Sequence, residues 1–295
     1  HDQTRRQRQM CIRDRTRKLR KIYQDFGSKE SSSVKKIEDT TKHDVKAVEY
    51  FIKNKIKNNN LLNKYKEHIH ICCTSEDINN IAYSLMIKEG RDLLIYQANT
   101  LQRTMKSMGK KYKNIAMLSH THGQPASPTT MGKEFINFYR RLDAQIHDLN
   151  NIEIKGKFNG ATGNYSAHSV TYPKVNWPNT MRKFVNSLKL EFNSHTTQIE
   201  PHDYIADLCH KINHINSILI GFSQDIWAYI SKNYFTQKNI KGEIGSSTMP
   251  HKINPINFEN AEGNLGMSNA ISQYFSNKLV TVSYTHLRAH ETPRY

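Results

Sequence analysis

The feature that most constrains this 295-residue chain is an unbroken apolar seam at Ile205, Leu208, Ile212, Ile215, Leu219, Phe222, Ile226 and Tyr229. Steps of three and four alternate along it, which is the spacing of one helical face sustained for about seven turns. An apolar stripe of that length has to be covered, and only other long helices cover it. Proline placement says where those partners lie. The eight prolines cluster and leave 16–124, 202–249 and 256–292 free of them. Proline inside a helix costs about 3 kcal/mol, so these are the spans open to long helices.

Further seams agree. Ile78, Ile81 and Leu85, then Leu94, Ala98, Leu101, Met105 and Met108 predict one or two helices over 76–111. Met131, Phe135, Phe138, Leu142, Ile146 and Leu149 predict another, with Ser127 as its N-cap and Pro128 in its first turn. After Pro255 a fourth helical stretch carries Phe258, Ala261, Leu265, Tyr274 and Leu279. Residues 16–70 also read as helical, with Val45, Val48 and Ile52 on one face and a break at KIKNNN. Strand signals are weak, and FNGATGNY at 158–165 fits a small irregular turn. The fold class is therefore all-α, a bundle of long helices. Connectors bearing Gly and Pro fall at 119–128, 156–178, 194–203 and 241–256, and the polar functional groups gather in them.

The formal charge of +17 needs correction before it is interpreted. HDQTRRQRQMCIRDR at the start and TVSYTHLRAHETPRY at the end differ in composition from the Lys- and Asn-rich interior. Both read as non-native leader and tail, 1–15 and 281–295, and are set aside from fold reasoning. The first carries five Arg against two Asp and the second two Arg against one Glu, so the interior keeps +13. Such a surface attracts polyanions, which admits nucleic acid, an acidic membrane surface or a small phosphorylated substrate. The basic residues are spread over many helices rather than interleaved with aromatics on one face, which counts against a nucleic-acid interface. Cys11, Cys72, Cys73 and Cys209 make no zinc or redox spacing. Reduced thiols and a cytoplasmic location follow as expectations, and the apolar runs are too short to span a bilayer.

Four connector stretches could carry chemistry. GEIGSSTMPHKINP at 242–255 brackets Ser246 and Ser247 between Gly245 and Pro250, with Lys252 and Asn254 following. A serine acts as a base only if surrounding donors or charge stabilise its alkoxide, and a closing glycine loop with a lysine supplies them. SHTHGQPASP at 119–128 sets His120 and His122 around Thr121, and imidazole gives or takes a proton near neutral pH. TKHDVKAVEY at 41–50 holds His43, and TSEDINN at 74–80 reads as a helix start capped by Thr74, Ser75 and Asp77. His68 with His70, His120 with His122, and His210 with His214 have metal-like spacings, but no acidic or Cys partner completes a known pattern.

Together and in this order, TKHDVKAVEY, TSEDINN, THGQPASPTTMGKE, TTQIEPHDY and GEIGSSTMPHKINP resemble the adenylosuccinate lyase family of the fumarase and aspartase superfamily. The resemblance covers about 16–279. It implies the superfamily's long-helix bundle, with 16–74 in a small helical N-terminal domain and 75–280 in the central domain. It also implies a further C-terminal domain and an N-terminal segment that this chain lacks, hence little turnover by this polypeptide alone, and it leaves an inactive scaffold or oligomerisation partner as the rival reading. The implied reaction eliminates fumarate from adenylosuccinate or from succinyl-aminoimidazole-carboxamide ribotide, with no cofactor and no metal. The implied assembly is a homotetramer whose active sites are shared between protomers. By the same resemblance Ser246 is the base and His122 the acid, and His43 stands near the acid and the nucleotide. Lys252 and Asn254 hold the succinyl carboxylate, Met249 belongs to the closing loop, Thr74 and Ser75 bind the succinyl or phosphate end, and Thr121 and Gln198 fix the substrate. His120 departs from the family's bacterial pattern, which has Arg there.

Overall fold

A computed structural model describes residues 2–237, 249 and 252–281, with side chains from residue 12 onward. Among them the helices are α1 (Asp2–Gln24), α2 (Ser28–Thr41), α3 (Asp44–Ile56), α4 (Asn60–Asn63), α5 (Ser75–Lys111), α6 (Met131–Asn151), α7 (Ser166–Thr171), α8 (Trp177–Ser187), α9 (Asp203–Ser231) and α10 (Ile256–Val280). Four short strands interrupt them: β1 (Ala116–Thr121), β2 (Gln124–Thr130), β3 (Lys155–Gly156) and β4 (Glu191–Phe192). The bundle of long helices is thus observed, and no helix among the described residues is long and apolar enough to cross a membrane.

The predicted seam of α6 is buried in full: Met131, Phe135, Phe138, Leu142, Ile146 and Leu149 all face the core. Phe138, Leu142, Ile146 and Leu149 pack with Met105 of α5 and with Leu208, Ile215 and Ile218 of α9, and each such side chain contributes about 1.5–3 kcal/mol when fully buried. The crossing of α5 and α6 is close because it is built on glycine. A Cβ on Gly132 would lie 2.4 Å from the carbonyl oxygen of Gly109, a backbone contact that cannot give way. A second core at the far end joins Met117, Met131, Phe135 and Ile226, with Phe258 packed against it.

The structure differs from the sequence expectations in three places. First, 116–130 is an antiparallel hairpin, not a connector leading into a helix, and the pairs run from Ala116↔Thr130 to Thr121↔Gln124. Both Pro125 and Pro128 lie on β2, where a two-stranded ribbon leaves an outer edge that needs no N–H. Second, Ser127 is therefore not the cap of α6; Thr130 is, its hydroxyl accepting the Lys133 N–H at 3.3 Å. Third, α5 buries only part of the expected apolar face at its start. Ile81 is buried in the core, but Ile78 is exposed, and the other buried positions of the first turns are Glu76, Asp77, Asn80 and Ser84.

Candidate active site in two clusters

One cluster sits at the start of α5. Thr74 is the N-cap, and its N–H donates to Asp77 Oδ2 at 3.0 Å, as the S/T-x-x-acid pattern predicts. Ser75 is the first helical residue. Gln198, 124 residues away in sequence, donates from Nε2 to Thr74 Oγ1 at 3.2 Å, so two residues named from separate motifs do meet. His43 caps α3, its Nδ1 accepting the Lys46 N–H at 3.4 Å. The next residue, Asp44, accepts from Asn79 Nδ2 at 3.3 Å, which ties the start of α3 to the first turns of α5.

The other cluster sits past the opposite end of α5. His122 and Gly123 form the two-residue tip of the β1–β2 hairpin with φ of 52° and 73°. Two successive left-handed residues are the demand of a type I′ turn, which glycine meets at no steric cost. Thr121 and His122 are exposed there. Along β1, Tyr234 donates its hydroxyl to Leu118 O at 3.2 Å and its ring meets that of His120. Tyr234 follows α9, and Gln237 Nε2 donates to Ile253 O at 2.7 Å, which joins the chain on either side of the 238–252 stretch. Ser246 belongs to that stretch and lies outside the described residues. Lys252 is exposed, Asn254 half-buried, and Met249 half-exposed, its carbonyl accepting the Lys252 N–H at 3.3 Å.

The two clusters are far apart within one chain. The 37 residues of α5 separate them, a rise of about 55 Å at 1.5 Å per residue. A strand the length of β1 spans only about 20 Å, so the hairpin cannot bring His122 of one chain to Thr74 of the same chain.

Sequence reasoning missed what lies under Thr74. Lys157 Nζ contacts Asp77 Oδ1 at 2.8 Å, and both side chains are fully buried. Asp77 also accepts the N–H groups of Asn159, at 3.1 Å, and of Gly160. No periodicity announces a buried lysine, since lysines almost always face water. Nearby, Glu49 is buried beneath Lys46, Lys53 and His70. Burial pushes its carboxyl up, but the two ammonium groups outweigh that and hold it at about 2. Burial raises the Cys73 thiol, one residue before Thr74, to about 12, which keeps it protonated at neutral pH. The His68–His70 spacing, weighed as metal-like, resolves into His70 Nδ1 against Glu49 Oε2 at 3.2 Å.

His168 is 1% exposed, stacked edge-on against Trp177 and Tyr165, with neither ring nitrogen partnered among the described residues. Burial lowers its pKa, and the Lys157 charge lowers it further against an opposing pull from Asp77. The unfolded chain takes up a proton near pH 6.5 that the folded chain binds less readily. Stability therefore falls as pH drops below that value, at no more than about 1.4 kcal/mol per unit for one group. Between pH 7.5 and 5.5, urea denaturation of the wild type should lose more stability than that of His168→Gln, by at most about 1.4 kcal/mol. Equal losses in the two proteins would remove His168 as the cause.

A family model described as lyase matches residues 9–269. The adenylosuccinate lyase of Buchnera aphidicola subsp. Schizaphis graminum (strain Sg) is 54% identical over 262 residues, 88% of this chain and 58% of that protein. The adenylosuccinate lyase of Escherichia coli (strain K12) is 51% identical over 259 residues, 88% of this chain and 57% of that protein. The chain thus spans less than two thirds of the length of these curated relatives. Among solved structures, a fumarate lyase from Mesorhizobium sp. BNC1 superposes with a TM-score of 0.72 over 92% of this chain and 59% of that one, at 15% identity, a likeness of fold.

Proposed function

The chain belongs to the lyase family, and on that premise we propose that its residues catalyse β-elimination of fumarate from adenylosuccinate, giving AMP, and from succinyl-aminoimidazole-carboxamide ribotide. Ser246, as the alkoxide, takes a proton from the carbon beside a succinyl carboxylate. The charge left behind spreads into that carboxylate, where Lys252 and Asn254 hold it by an oxyanion-type interaction. His122 gives its proton to the departing nitrogen as the carbon–nitrogen bond breaks, and the electron pair of the former C–H bond becomes the double bond of fumarate. Thr74, Ser75 and Gln198 hold the other end of the substrate, Thr121 and His43 orient it near the acid, and Met249 moves with the segment that delivers Ser246.

The observation that carries this reading is the hairpin tip. Its I′ turn projects an exposed imidazole at the end of the bundle where Gln237 and Ile253 close the Ser246 segment. The distance between the two clusters supports a site shared between copies of the chain in a homo-oligomer, with His122 from one copy opposite Thr74 and Gln198 from another. Apolar side chains left exposed along α5 (Tyr83, Met86, Leu93, Tyr96) and α10 (Met267, Ile271, Tyr274) support the same assembly. The full-length protein should release one fumarate per adenylosuccinate consumed, followed by the fall in substrate absorbance and by the product's appearance. Substrate loss without fumarate, or no loss at all, would sink the reading.

A further inference from the structure

We infer that Asp77 and Lys157 are positioning residues: their buried ion pair fixes where Thr74 and Gln198 stand relative to each other, and thereby how the substrate is held. This inference rests on the reading of Thr74 and Gln198 as substrate-holding residues.

The contacts close into a ring. Asp77 Oδ2 takes the Thr74 N–H. Asp77 also takes the N–H groups of Asn159 and Gly160, and Lys157 Nζ completes the turn by donating to Gly160 O at 3.2 Å. Asn80 clamps the start of this turn, accepting the Lys157 N–H at 2.8 Å and donating to Lys157 O at 3.0 Å. From the turn, Asn159 Nδ2 donates to Thr196 Oγ1 at 2.8 Å. Two residues on, Gln198 donates back to Thr74 Oγ1. Gly163 is seated so closely on the Thr196 backbone, with a φ of 76°, that a Cβ there would meet Thr196 O at 2.0 Å. The segment bearing Gln198 is thus tied to the helix start bearing Thr74 through Asp77 and the 157–160 turn, while Glu76 on the same helix turn faces His202 at 4.0 Å.

Stability alone does not account for such a pair. A buried ion pair is often matched or bettered by apolar residues of equal volume, because removing two charges from water offsets their attraction. What apolar residues cannot supply is direction. Asp77 accepts from three backbone N–H groups and one ammonium at once, so it sets the orientation of two chain segments more than 80 residues apart in sequence.

The test uses the double variant Asp77→Asn/Lys157→Met, which removes both charges and keeps the shape. Lys157→Met alone strands a buried carboxylate and is the less stable protein. In the full-length enzyme the double variant should raise KM for adenylosuccinate about tenfold or more while kcat stays within about threefold, the signature of lost ground-state holding. Ser84→Ala, on the same helix but outside the ring, is the control for general loosening and should leave KM within about twofold. A KM that moves no more in the double variant than in this control overturns the proposal. Crystal structures of this 295-residue chain give a readout independent of turnover. A Thr74 Oγ1 to Gln198 Nε2 separation that opens beyond hydrogen-bond reach in the double variant supports the proposal, and one that keeps its wild-type value overturns it. Should the wild type release no fumarate, the reading of the site fails by itself while the structures still decide whether the pair positions the two residues.

Discussion

Replacing His122 by glutamine in the full-length protein should lower kcat by roughly 10²–10⁴-fold, the usual contribution of a positioned general acid, with KM changed far less. Glutamine keeps a hydrogen-bonding side chain at the hairpin tip but has no proton to transfer at neutral pH. The residue is exposed and belongs to neither core, so the fold should survive the change and the melting temperature should stay within a few degrees. Rapid-quench measurement of fumarate release separates loss of the chemical step from slow product departure. A variant with kcat within about threefold of wild type would show that another group protonates the leaving nitrogen. His120, two residues earlier and half-buried against Tyr234, is the first place to look in that event.

The parts of this molecule legible in its sequence are those where one physical signal dominates. In α6 the apolar period of three and four is uncontested, and every seam residue is buried. In α9 the same period places the helix correctly as Asp203–Ser231, although Ile205, Ile212 and Leu219 are only partly covered and Tyr204, Cys209 and Ile218 go deeper. The start of α5 was readable for another reason, since Thr74 and Asp77 satisfy free N–H groups by local chemistry that needs no tertiary partner. Tertiary context wins elsewhere. Pro125, Pro128 and Gly123 look like a loop because each disfavours a strand interior, yet a two-stranded ribbon has outer edges on which proline is tolerated. Apart from Ile81, the inward face at the start of α5 is polar because it meets the Lys157–Gly160 turn rather than a helix, and Ile78 is displaced to the surface. Nothing local to either segment encodes that meeting.

The motifs named the residues of the candidate site but not their separation. Motif order along a chain carries no distance, and it took the uninterrupted length of α5 to set His122 and Thr74 at opposite ends. The consequence is a prediction about pairs of variants rather than about any single substitution. A variant disabled at the helix start, Thr74→Val/Ser75→Ala/Gln198→Leu, and one disabled at the hairpin, His122→Gln, should each be nearly inactive alone. If every site takes one end from each of two copies, random mixing of the two variants in equal amounts rebuilds both wild-type ends in roughly a quarter of the sites of a symmetric oligomer. Unfolding the two together, refolding them and assaying the mixture should therefore recover about a quarter of wild-type activity, many-fold above either parent. Refolding them separately and then combining them should recover far less until subunits exchange. Activity that equals the mean of the parents, in a mixture shown by differential tagging to contain both variants in one assembly, would mean that each site is built within a single chain. That outcome would require the hairpin and the helix start to meet across the length of α5, which the reach of β1 forbids.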